Sequence, residues 1–173
     1  MLIFAAILQL LVALAFLSIP LVRHLYGPAA KAAAEAELTR QDVPVTVLEE
    51  NGLRFDAGGH ETAVPAAVAT VMVVIAALNL AGEHWGQTLT WVFQSLVLVG
   101  NCLILYSQLT AIRSVRAAFK RKGDPTLLRI DVPALLDAAG SAFPHWAMPT
   151  LQNIRHTVVF AGSLLALAAT AVA

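Results

Sequence analysis

Four apolar runs, each of about twenty residues, alternate along this chain with one short turn and two long polar stretches. They cover residues 2–22, 64–81, 88–112 and 154–173. A helix rises about 1.5 Å per residue, so crossing ~30 Å of hydrocarbon takes roughly 20 mostly apolar residues. Each run therefore predicts a transmembrane helix, and none has Asp, Glu, Lys or Arg in its interior. Pro65 falls in the first turn of the second helix, where its missing N–H is tolerated. The pattern predicts an all-α membrane protein, a single four-helix transmembrane domain over residues 1–173. Two loops of about 40 residues, 23–63 and 113–153, join the helices. The first run lacks a basic leader and exceeds the usual 7–15-residue core of a signal peptide, so it is expected to remain as a span. Pro28–Ala30 offers only a weak cleavage site.

Charge sets the expected orientation. All eleven Lys and Arg lie between Arg23 and Arg54 or between Arg113 and Arg155. The Gly82–Gln87 turn contains Glu83 and His84 but no Lys or Arg. Basic residues in short loops are retained on the cytoplasmic side. Both long loops are thus predicted to be cytoplasmic and both termini outside, in a bacterial-type inner membrane. Trp85 and Trp91 at one edge, and Tyr26 and Trp146 at the other, fall where interfacial aromatics are expected.

Composition agrees with that class and narrows the chemistry. Hydrophobic residues make up 58% of the chain and charged residues 13%, against about 25% charged in a soluble domain. Mean hydropathy is +0.74. The net charge of zero gives no bulk attraction to nucleic acid. Cys102 is alone, which excludes intramolecular disulfides, CxxC redox chemistry and Cys-rich zinc sites.

The loops have their own punctuation. Gly27-Pro28 opens the first, followed by an alanine-rich helix former from Ala29 to Arg40, with Glu35 one turn after Lys31. Asn51-Gly52, between extended segments, predicts a β-hairpin that sets Glu49 opposite Arg54 and Leu48 opposite Phe55. Gly58-Gly59 is expected to give a flexible approach to the second span. In the second loop, Arg113 to Lys122 should continue the third helix until Gly123-Asp124-Pro125 stops it. A short helix should follow, with Asp131 as its cap, Pro133 early and Gly140 at its end. Phe143–Pro149 is too apolar for a solvated linker and too proline-rich for a helix, so it should lie along the inner interface.

The most unusual pattern is within the third span. Gln87, Gln94, Asn101 and Gln108 recur every seven residues and form one slowly winding stripe, with Thr90 near it. Amides in hydrocarbon need partners. The expected role is a helix-packing seam, with Gln9, Ser18 and Asn79 as candidate partners. The same stripe could specify self-association or line a polar path for a neutral or lipidic solute. His24, His60 and His156 border spans on the same side, the arrangement a haem or metal site would use, though no His-x-x-x-His spacing is present. Arg113, Arg116, Lys120, Arg121 and Lys122 form a basic run suited to docking anionic lipid or a protein partner. Gly162, Ala166 and Thr170 give the fourth span a small-residue face that allows close helix approach.

Catalytic signals are missing from the sequence. There is no readable Ser-His-Asp arrangement, glycine-rich phosphate loop or acidic metal cluster. Asp124, Asp131 and Asp137 read as caps and solvated positions. Ion-coupled transport normally places an ionisable residue inside a span, and the span interiors hold no carboxylate or Lys/Arg. The expected role is a non-catalytic accessory or interaction subunit, with no cofactor predicted. Its expected partners are membrane lipids and a second copy or another membrane protein. The alternatives are a haem-, quinone- or lipid-binding enzyme or redox component using an inner-leaflet pocket near His24, His60 and His156, and a carrier or channel along Gln87–Gln108.

Overall fold

Leucine- and alanine-rich sequence favours uninterrupted helix, and the helices here run further than the apolar stretches alone. The structure is a computed structural model that describes residues 1–55 and 60–172, without the side chains of His60 and Glu61. The four long helices are α1 (Leu2–Arg40), α3 (His60–Leu80), α4 (His84–Lys122) and α7 (Gln152–Ala171). Between them lie short helices: α2 (Val47–Glu50), α5 (Pro125–Leu128) and α6 (Val132–Ser141). A wide turn over Trp146–Leu151, non-helical at Met148, leads into α7. No strand occurs among the described residues.

Two expected boundaries are corrected. The first helix does not stop near Val22, where its apolar run ends, because α1 continues through Pro20 and Pro28 to Arg40. Each proline removes one backbone hydrogen bond, but the alanine-rich segment buries Ala30, Ala34 and Leu38 completely, and that packing keeps the helix intact. The first connection is therefore 41–59 rather than 23–63. At 39 residues each, α1 and α4 are about 58 Å long, roughly twice the hydrocarbon thickness. Their distal halves project from the same end. The Gly58-Gly59 segment lies outside the described residues.

The four long helices pack through α1, which contacts both α3 and α7, while α4 closes on α7 and α3. Contacts from Asn79 to Gln9 and from Ala166 to Ala5 and Leu8 show that α3 and α7 run antiparallel to α1. The middle core joins Val12, Phe16, Met72, Ile75, Val97 and Val159. Around it the usual polarity is inverted. Gln9, Asn79, Thr90, Gln94, Asn101 and Ser163 are buried, whereas Leu14, Val74, Leu96, Val99, Leu103 and Leu164 face outward. Hydrocarbon as the surrounding solvent explains this arrangement, because polar groups must then find partners inside. All four long helices are long and apolar enough to cross a membrane.

Beyond the spans, the two loops fold together into a head. Leu38 of α1, Leu48 of α2, Phe119 of α4, Leu127 of α5 and Leu135 of α6 share one apolar core. Gln41 ties the layers: its Nε2 donates to Glu37, and its Oε1 accepts from the Asp131 backbone N–H at 2.7 Å. Asp124 and Asp131 accept from Thr126 and Ala134 backbone N–H groups and so cap α5 and α6, each followed by a proline in the first turn. Gly123, at φ +68°, ends α4 in the left-handed conformation.

The expected hairpin is absent. Val47–Glu50 is a helical turn, and Asn51-Gly52 terminates it rather than joining strands. Gly52 adopts φ +65°, and the Leu53 N–H returns to Leu48 O at 2.8 Å, the helix-ending pattern that Asn-Gly also permits. Burial of both Val47 and Leu48 decides the outcome, since alternation along a strand would have exposed one of them. Glu49 lies 3.7 Å from Lys31, not opposite Arg54.

Candidate functional site

The polar side chains of the spans meet in a ladder along the inner face of α4. At its first rung, Gln9 Nε2 donates to Thr90 Oγ1 at 2.9 Å. Asn79 Nδ2 donates to Gln9 Oε1 and to Thr90 Oγ1, both at 3.0 Å. Three helices thus converge on Thr90, whose hydroxyl donates back to Gly86 O at 2.7 Å. One stripe position lower, Gln94 Nε2 donates to Ser163 Oγ of α7 at 2.8 Å. At the third rung His156 of α7 lies between two stripe amides, with Nδ1 3.0 Å from Asn101 Oδ1 and Nε2 2.9 Å from Gln108 Oε1.

The His156 rung constrains protons. Two carbonyl acceptors would demand a ring protonated at both nitrogens, next in the chain to Arg155 and without an ion pair to a carboxylate among the described residues. A neutral ring donates once and accepts once. The Asn101 amide nitrogen is buried with no other partner, so rotating that amide supplies the donor: Asn101 Nδ2–H to His156 Nδ1, and His156 Nε2–H to Gln108 Oε1. With both nitrogens engaged, His156 has no free lone pair for iron or zinc in this arrangement.

Close helix approach makes the ladder reachable. A Cβ on Gly86 would lie 2.6 Å from Asn79 Oδ1 and 2.8 Å from Asn79 N, so only glycine fits beside α3 there. A Cβ on Gly162 would meet Val12 Cγ2 at 3.3 Å, marking where α7 crosses α1. Gly162, Ala166 and Thr170 are all buried.

The remaining candidates are distributed as follows. Gln94 and Asn101 are buried on the stripe, Gln108 is exposed at its lower end, and Gln87 is half-buried with no hydrogen bond among the described residues. Thr90 does the joining at the upper rung instead. Gln9 and Asn79 pair with Thr90 rather than with a stripe amide, and the Ser18 hydroxyl donates to Ala15 O on its own helix. Ser163 and His156 were not anticipated as partners, yet their spacing could have revealed them. They are also seven residues apart, matching Gln94 and Asn101 on a helix running the other way.

His24 is exposed on α1, and the His60 side chain lies outside the described residues. No group of three His, Cys, Asp or Glu suited to a metal occurs among the described residues. Arg113, Arg116, Lys120 and Arg121 are exposed and make no ion pair among the described residues. Lys122 is occupied within the head, its Nζ donating to Asn51 Oδ1 at 2.7 Å. Tyr26 packs against Trp146 at 5.9 Å between ring centroids, docking the Trp146–Leu151 turn on α1. No protein-family model, curated protein or solved structure matches this chain.

Proposed function

We propose that this chain is a non-catalytic accessory or interaction subunit of a bacterial-type inner membrane. In this reading the head faces the cytoplasm and the termini face outward. One observation carries the proposal: both loops combine into a head with its own apolar core, which leaves Arg113, Arg116, Lys120 and Arg121 on its surface without ion-pair partners among the described residues. A head built this way supplies a rigid cationic face rather than a flexible tether. The ladder supports the same reading, since Gln94, Asn101 and Gln108 are directed at α7 of their own chain and act as an internal seam. Retention of every Lys and Arg in the segments at that end agrees with a cytoplasmic head.

The test is cross-linking and purification from native membranes, comparing wild type with Arg113→Glu, Arg116→Glu, Lys120→Glu and Arg121→Glu combined. A partner retained by wild type should be lost from the quadruple variant while its helical content stays unchanged. Equal recovery from both would remove the head from the docking role.

A further inference from the structure

Where α3 and α4 separate below their connecting turn, they leave a two-part groove. The upper chamber, about 340 Å³, is floored by Phe16 and walled by apolar side chains such as Val68, Met72, Phe93 and Val97. The lower chamber, about 580 Å³, continues toward the head between Ile19, Phe143 and Leu151. Ile104 lines both, so the chambers adjoin. Each volume falls in the range of small-molecule sites, roughly 300–1,000 Å³.

Polarity changes abruptly along this groove. Among the described residues, the upper lining offers no charged or amide side chain, whereas the lower lining includes Arg23, Gln108, Gln152 and Arg155. Arg155 is half-buried and has no hydrogen bond or ion pair among the described residues. Among the described residues, neither lining contains a carboxylate. Gln108 gives its carbonyl oxygen to His156, which leaves its amide nitrogen as a donor toward the groove. A guanidinium partly withdrawn from water is costly without an anion, and none of the described residues supplies one. From Phe93 to Gln108 the groove follows α4 for about 22 Å, somewhat more than one leaflet of a ~30 Å hydrocarbon core.

We propose that this groove binds one anionic phospholipid, with an acyl chain in the upper chamber and its phosphate at Arg155, Gln108 and Gln152. The proposal rests on the membrane-spanning reading and is independent of any protein partner. A quinone would match the apolar chamber but not the unpaired cation. A free phosphate would match the cation but leave the chamber unused.

The test uses the full chain in detergent, exchanged into nanodiscs of phosphatidylglycerol or phosphatidylcholine and read by native mass spectrometry. One retained phosphatidylglycerol per chain is expected, with little phosphatidylcholine and no retained inorganic phosphate. Arg155→Gln should lower retention by roughly tenfold, the scale of one charge-assisted hydrogen bond. Gly100→Phe should lower it independently by filling the upper chamber, since a side chain at Gly100 enters open space. Arg129→Gln, exposed at the end of α5, should leave it unchanged. Equal retention of both lipids by wild type, or wild-type retention by both groove variants, would overturn the assignment.

Discussion

Removing His156 should expose how strongly the ladder holds α7. His156→Leu deletes two side-chain bonds between helices, each worth about 0.6 kcal/mol on average in a membrane and up to ~1.7. It also strands the buried Asn101 amide, at a cost on the order of 1–3 kcal/mol. The expected loss is therefore about 2–4 kcal/mol. Asn101→Leu deletes one bond and leaves a buried ring nitrogen unpaired, for an expected loss of about 2–4 kcal/mol. Combining them removes both polar partners, so the double variant should be more stable than the two losses predict, by about 2–3 kcal/mol. Unfolding in mixed micelles, titrated with a denaturing detergent and followed by circular dichroism, measures all four corners of this cycle. Losses that add to within ~0.5 kcal/mol would show that the two side chains do not interact and would refute the rung.

Three further outcomes follow from particular contacts. Gly86→Ala should destabilise the same transition by about 1–3 kcal/mol, because its methyl would meet α3 backbone; a neutral result would mean that α3 and α4 are not this close. Phe119→Ala should loosen the head at a cost of about 3–5 kcal/mol, seen as faster limited proteolysis of residues 41–55 and 123–131 while the spans stay protected; unchanged cleavage would argue against a shared head core. Gln94→Leu with Asn101→Leu should lower stability without changing assembly state by light scattering, since both bond within the chain; dissociation at unchanged stability would make the stripe intermolecular.

The sequence resolves these features unequally, for physical reasons. Span length and the seven-residue amide stripe are properties of one helix each, so they can be read directly from residue spacing. Partner choice depends on how helices stack, and Ser18 was a natural candidate that turns out to satisfy itself on Ala15. A histidine at a span edge, such as His156, has several uses, metal ligation among them; only the position of α7 beside α4 shows that two amides contact it. Asn51-Gly52 suits both a hairpin and a helix end, and burial of Val47 together with Leu48, a tertiary effect, chooses between them. Helix α1 outruns its apolar stretch because Ala34 and Leu38 find a core supplied mostly by the second loop.

Cysteine labelling tests the topology most directly. In a Cys102→Ser background, single cysteines at Asn51, Gly123 and Glu83 would be exposed to a membrane-impermeant maleimide, first in intact cells and then in inverted vesicles. Asn51→Cys and Gly123→Cys should react only in inverted vesicles, and Glu83→Cys only in intact cells. If either head position reacts from outside while the other does not, the loops cannot share one head, and the four-span arrangement described here is wrong.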